Sequence, residues 1–205
     1  MNRASKKPIG IKILDEAGFH ASLFGLGLSH GIVSNYSYSE FLNNSDLIDK
    51  MKEVSKKLAP LDDGHNKFLE SIIVWIDITA PRFWWQEFDT YRVGVTKQSE
   101  STMHTLNKKE LNQDNFVIDV PEEYLDLLNA VLDNDDLGFA KAMLPEGFLQ
   151  RRVVCTNYKT LRTILKQRKN HKLPAWKVFC KEVYERVFRW YYLKDIMGDK
   201  KDEPE

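Results

Sequence analysis

The stretch Ala80-Pro81-Arg82-Phe83-Trp84-Trp85-Gln86-Glu87-Phe88-Asp89-Thr90-Tyr91-Arg92 decides how this chain is read. It follows the clearest strand signal in the sequence. Ile72, Val74, Ile76 and Ile78 alternate with Ile73, Trp75, Asp77 and Thr79. Successive strand side chains point to opposite faces, so the first set makes one continuous apolar face. Pro81 lacks the amide hydrogen that a ladder needs and limits the strand. Phe83, Phe88 and Tyr91 then fall at helical spacing around Trp84 and Trp85, which predicts a short helix. After Arg92 comes a polar run, Thr96-Lys97-Gln98-Ser99-Glu100-Ser101-Thr102-Met103-His104. So many hydrogen-bonding side chains in a row predict a binding surface.

Upstream, Ile9, Ile11 and Ile13 alternate with Gly10, Lys12 and Leu14, predicting a short strand ended by Asp15, Glu16, Ala17 and Gly18. Residues 19–31 are small and apolar, with Gly25, Gly27 and Gly31. Two readings stay open there, a helix with close neighbours and a loosely ordered turn. The Gly25/Gly27 pair is no phosphate loop, because the third glycine and the preceding strand are wrongly placed. Residues 34–45 read as a loop. Ser45 can cap a helix whose apolar face is Leu47, Met51, Val54 and Leu58, with its lysines mostly on solvated faces. Pro60 ends it, and residues 61–64 turn the chain.

Downstream, residues 107–115 are hydrophilic and predict a loop. Asp119, Pro121, Glu122 and Glu123 open a helix, with proline early and acids at the positive end of the dipole. Tyr124, Leu127, Leu128, Val131 and Leu132 are its expected apolar face. Residues 134–136 break it, and residues 137–143 form a second short helix stopped by Pro145. Residues 148–156 predict a strand in which Arg151 and Arg152 point to opposite faces. Asn157 or Thr156 caps a helix through Leu161, Ile164, Leu165 and Arg168. Pro174 opens a last, long helix carrying Trp176, Phe179, Cys180, Val183, Val187 and Tyr191. The charged tail 198–205 is expected to fray. No repeat or low-complexity linker divides the chain, so the expectation is one α+β domain over 1–205, a central β-sheet flanked by helices.

Composition narrows the function classes. Of 205 residues, 42% are hydrophobic and 12% aromatic, enough for a core. With 30 basic and 30 acidic side chains the formal net charge is +0. No global field draws the chain to nucleic acid or a membrane surface, so any anion site is local. No apolar run approaches the ~20 residues of a membrane span, and no apolar signal region follows the charged N-terminus. Cys155 and Cys180 read as reduced thiols, and the expected location is cytoplasmic. His20, His30, His65, His104 and His171 show no metal-ligand spacing. No catalytic triad is visible. What remains is Arg92, Lys97, Lys141, Arg151, Arg152, Asn157 and Arg168, each of which has a bland reading as a solvated cation or a helix cap.

The order of these elements resembles the flavin-dependent thymidylate synthase family. The resemblance is carried by Gly64-His65, Glu70, the strand over 72–79, Ala80-Pro81-Arg82-Phe83, Ala140-Lys141-Ala142-Met143-Leu144-Pro145, and Asn157 eleven residues before Arg168. It covers roughly residues 46–191. It implies a homotetramer with FAD and dUMP at subunit junctions, methylenetetrahydrofolate as carbon donor and NADPH as reductant. Carried over by position, His65, Glu70, Tyr91, Arg92, Val93 and Asn157 fall around the flavin. Glu87, Lys141 and Arg168 fall around the nucleotide. The catalytic position falls on Glu100, with Ser99 and Ser101 beside it.

The signature segment departs from the family's pattern. Thr90 and Tyr91 stand where the family has Arg and His, Glu100 where it has Ser, Thr102 where it has Arg, and Glu87 where it has Gln. Lys141 replaces an Arg, which keeps charge but not bidentate geometry. The resemblance therefore implies either reductive one-carbon transfer to dUMP or a related pyrimidine nucleotide, yielding dTMP in the family's reaction, or a diverged nucleotide- or flavin-binding protein without synthase activity.

Overall fold

A computed structural model describes residues 8–61 and 64–198. Four strands, β1 (Gly10–Ala17), β2 (Ile73–Pro81), β3 (Val95–Ser99) and β4 (Leu149–Asn157), form an antiparallel sheet in the order β1-β2-β4-β3. The helices are α1 (Phe19–Ser29), α2 (Tyr38–Leu42), α3 (Ser45–Leu58), α4 (Arg82–Phe88), α5 (Thr102–Thr105), α6 (Glu122–Asp133), α7 (Leu137–Met143), α8 (Tyr158–Arg168), α9 (Pro174–Arg186) and α10 (Lys194–Met197). The architecture is α+β, as the alternation of strand and helix signals predicts.

One face of the sheet is buried. Val74, Ile76 and Ile78 of β2 and Val154 of β4 are 0–1% exposed. The period-two reading of β2 holds: its other set, Ile73, Trp75, Asp77 and Thr79, is half-buried. Register carries the buried face across the sheet to Arg152 of β4, opposite Ile78, and to Lys97 of β3, opposite Val154. Two cations thus point into the covered side.

β1 is longer than expected. It runs through Asp15, Glu16 and Ala17 because the register shifts between Ile13 and Asp15, a bulge at Leu14. The shift pairs Glu16 with Val74, which turns the Glu16 side chain to the covered face. There its carboxylate, 0% exposed, accepts from the Tyr158 hydroxyl at 2.7 Å, Arg189 Nη1 at 2.8 Å and the Phe188 amide at 2.6 Å. Burial, and then the Glu16 charge, hold the Tyr158 phenol well above the usual tyrosine range.

Other corrections have local causes. Residues 19–31 are helical, and a Cβ on Gly27 would meet Val33 Cγ1 at 2.8 Å, the close packing that one reading anticipated. The expected loop at 34–45 contains α2, started by a Ser37/Glu40 capping box. Asn44, not Ser45, caps α3. On α6 the buried positions are Leu125, Leu128 and Leu132, while Leu127 is exposed. α9 stops at Arg186, and Tyr191 belongs to a short 3-10 turn, Trp190–Tyr192. The turn at 62–63, the N-terminus before residue 8 and the tail beyond Gly198 lie outside the described residues.

A second, smaller core gathers Leu106, Leu111, Phe116, Leu125, Leu128, Leu132, Ala140, Leu144 and Phe148. It is tied to the start of α4: Arg82 Nη1 donates to the Leu144 carbonyl at 2.8 Å, and the Phe83 amide to the Glu146 carbonyl at 3.2 Å.

Candidate nucleotide-binding surface

α4 positions the site. Trp84, Trp85 and Phe88 are all buried, and Trp84 packs on Trp176 (4.7 Å between centroids) and Phe179 (5.4 Å) of α9. With its aromatic side fixed, the helix presents Glu87 and, just beyond its end, Asp89, to two separate groups of cations.

Glu87 meets α8 and α9. Its Oε2 accepts from Trp176 Nε1 at 2.6 Å and Arg168 Nη1 at 3.0 Å, and His171 Nε2 lies 3.5 Å away. Arg168 Nε donates to the Tyr91 hydroxyl at 2.8 Å, which in turn donates to Gln167 Oε1 at 2.9 Å. The Arg168 guanidinium also lies 4.6 Å from the Trp176 ring centroid. Glu87, Tyr91 and Arg168 are therefore one half-buried cluster, completed by His171 and Trp176.

Asp89 meets the sheet. It is bridged by Lys97 Nζ at 2.7 Å and Arg152 Nη1 at 3.1 Å, and the Arg152 guanidinium stacks 4.4 Å from the Trp85 ring. Burial pushes the Asp89 pKa up, but the hydrogen bonds from Lys97 and Arg152 outweigh it and leave the group below its ordinary value. The stabilisation from this site is therefore present above about pH 4 and lost as pH falls through the depressed pKa. Asp89→Asn is expected to lower the urea midpoint at pH 7 and to narrow the gap between the midpoints at pH 7 and pH 3. A gap as wide as wild type's would show that the acid sensitivity comes from elsewhere. Arg151, on the opposite face, pairs with Asp77 at 2.5 Å, a hydrogen bond that lowers the Asp77 pKa.

The loop over residues 90–94 runs along α8. Tyr91 meets its last turn. At its first turn Gly94, at φ 68°, sits so close that a Cβ would lie 2.4 Å from Thr160 Oγ1 and 2.9 Å from Asn157 Nδ2. The left-handed φ and this contact together require glycine. Arg92 and Val93 are left exposed, Val93 at 89%, and Arg92 has no ion pair with a described residue. Asn157 caps α8 through the Thr160 amide at 2.9 Å, its bland reading, while Glu70 pairs with Lys159 at 2.7 Å on the same turn. His65 is exposed in the turn before the 3-10 segment Lys67–Ser71.

The remaining candidates lie elsewhere. Thr96 to Ser99 belong to β3, an edge strand, which accounts for half of the polar run without a ligand. Ser99, Glu100 and Ser101 are exposed at its far end, where the Glu100 amide donates to the Arg151 carbonyl. Glu100 also lines a cavity of about 270 Å³ with Thr102, Leu106, Asn112 and Phe148. Lys141 is on α7, in the smaller layer. Sequence reasoning missed the part played by Trp176, whose indole N–H is what anchors Glu87; its spacing on α9 marks it only as core. Cys155 and Cys180 are free thiols, and burial pushes Cys180 up to about 12. No helix among the described residues is long and apolar enough to cross a membrane.

No family model matches the chain, and no curated protein matches it in sequence. Solved structures do. The flavin-dependent thymidylate synthase ThyX from Helicobacter pylori, complexed with FAD and dUMP, matches with a TM-score of 0.74 at 17% identity, over 91% of this chain and 98% of that one. A second structure of that protein with FAD and dUMP gives 0.74 at 16% identity, over 93% and 100%. The UMP/dUMP methylase PolB from Streptomyces cacaoi, bound with 5-Br dUMP, gives 0.64 at 13% identity, over 88% and 90%. The chain is built on the fold of the flavin-dependent thymidylate synthases.

Proposed function

We propose that this protein binds a pyrimidine deoxynucleotide and FAD along α8, and transfers a one-carbon unit reductively from methylenetetrahydrofolate to dUMP or a related nucleotide, with NADPH as reductant. The supporting observation is the α8 surface itself, where Arg168, Tyr91 and Glu87 stand at one end and the loop carrying Val93 runs to the other, with Arg92 exposed and without an ion pair among the described residues. The assembly in this reading is a homotetramer with sites at subunit junctions.

The residues fit a flavin on this side: Arg92, with no ion pair among the described residues, offers a cation for a phosphate and Val93 an apolar face. Bound FAD supplies hydride chemistry that no side chain can supply. The chain's own groups bind and orient. Arg92 holds an anionic group; Trp176 and Glu87 fix the guanidinium of Arg168; Tyr91 closes over it. Cys180, buried and with its pKa raised, is no nucleophile.

A second reading, ligand binding without synthesis, is favoured by one observation: Lys97, Arg152 and Arg168 are all already paired with carboxylates of the same chain. Purified protein with a flavin spectrum, and formation of dTMP from dUMP with methylenetetrahydrofolate and NADPH, is the result expected of the first reading. Flavin or dUMP binding without product selects the second. A colourless protein that gains no thermal stability from FAD or dUMP overturns both. Arg92→Ala is expected to weaken flavin binding roughly tenfold or more, as loss of a charge-assisted contact does; equilibrium titration of FAD checks this.

A further inference from the structure

Arg168 is not an open anion receptor. Its Nη1 already bonds the Glu87 carboxylate at 3.0 Å and its Nε the Tyr91 hydroxyl at 2.8 Å. Glu87 is itself locked, because its Oε2 takes the Trp176 indole N–H at 2.6 Å. The Arg168 and Glu87 side chains are 18% and 32% exposed, so the pair is reachable but only partly screened by water. A phosphate brought to this guanidinium meets a carboxylate on the same group, and like charges at that range repel. Glu87 Oε1, by contrast, has no partner among the described residues. It is a free acceptor beside the Trp176 and Tyr91 rings.

We infer that Glu87 converts the Arg168 patch from a phosphate receptor into a neutral, hydrogen-bond-accepting surface, which takes the N–H-bearing edge of a base rather than a phosphate. A carboxylate accepts from an imide or amino N–H, whereas a fully deprotonated phosphate has no proton to give it. Trp176 is fully buried, so the half-buried Tyr91 ring is the aromatic surface that a base can reach. The base-edge assignment rests on the nucleotide reading above. The blocking of Arg168 by Glu87 does not.

Glu87→Gln separates the two parts. Its carboxamide oxygen still accepts from Trp176, so the local packing is kept while the charge is removed. Titration calorimetry with inorganic phosphate and, separately, deoxyuridine is the test, on the full chain at fixed ionic strength and at a pH above the second pKa of phosphate. Glu87→Gln is expected to raise phosphate affinity roughly tenfold or more, and to lower deoxyuridine affinity by a similar factor. Arg168→Gln added to Glu87→Gln is expected to remove the phosphate gain. No gain on Glu87→Gln, or a gain that survives the added Arg168→Gln, overturns the blocking role. Deoxyuridine affinity unchanged by Glu87→Gln overturns the base-edge assignment. Deoxyuridine binding by neither protein overturns that assignment together with the nucleotide reading, while the phosphate titrations still decide the role of Glu87.

Discussion

Trp84→Ala is expected to destabilise the protein by about 3–5 kcal/mol, the cost of removing a large aromatic from a packed core. Trp84 is 0% exposed and touches Trp85, Phe88, Trp176 and Phe179, with ring centroids 4.7 to 5.4 Å apart. Trp84 supplies two of the ring contacts between α4 and α9. The cost is a large share of the roughly 5–15 kcal/mol that holds most domains together. Trp84→Phe sharpens the expectation. The Trp84 indole N–H is buried with no hydrogen-bond partner, so phenylalanine loses volume but also removes an unsatisfied donor that costs about 1–3 kcal/mol. Urea unfolding should therefore place Trp84→Phe much nearer wild type than Trp84→Ala. Equal losses would show that the N–H is satisfied. Because Trp176 is the shared neighbour, Trp84→Ala should also loosen the bond from Trp176 to Glu87.

Glu16→Ala is expected to cost about 3–5 kcal/mol, the usual penalty for leaving a buried partner charge alone. It strands the Arg189 guanidinium, the Tyr158 hydroxyl and the Phe188 amide at once. Arg189 Nε already lacks a partner, so nothing described nearby can replace the carboxylate. Glu16→Gln keeps one acceptor and should recover part of the loss. The urea midpoints of both variants check this, and a midpoint for Glu16→Ala within a few tenths of a kcal/mol of wild type would show that the segment after α9 is not held to β1 by this residue.

The elements most legible in the sequence were those whose chemistry is local. The alternation from Ile72 to Thr79 made β2 unmistakable, because one face is fully buried and the other is not. Pro174 and Asn157 marked helix starts through a single backbone requirement each. β3 was hidden, because an edge strand paired on one side only can be polar throughout, and Thr96-Lys97-Gln98-Ser99 carries no alternation to see. The burial of Glu16 was hidden too, since it depends on one extra residue at Leu14 that no periodicity reports. For the candidate site, the positions of Glu87, Tyr91 and Arg168 came from the ordered motifs, but not their mutual contact. That contact depends on α4 being packed on α9 by Trp84 and Trp176, residues whose apolar character announces burial and says nothing of polar partners, with Arg168 of α8 stacked on Trp176. Glu100, Ser99 and Ser101 remain at the edge of the sheet, and Lys141 on the smaller layer, where position in a motif alone could not place them.

The order of strands has a consequence for how the chain assembles. β2 lies between β1 and β4, yet β4 reaches it only after everything from α4 to Phe148 has been made. During synthesis β2 can pair early with β1, but its other edge stays open until residue 157 has emerged. Such long-range pairing is slow, because loop closure is unfavourable before the ladder forms. An open, apolar edge of Ile, Val and Trp invites pairing with another chain in the interval. The step at which β4 docks therefore bears on both the folding rate and the yield of chains that escape aggregation.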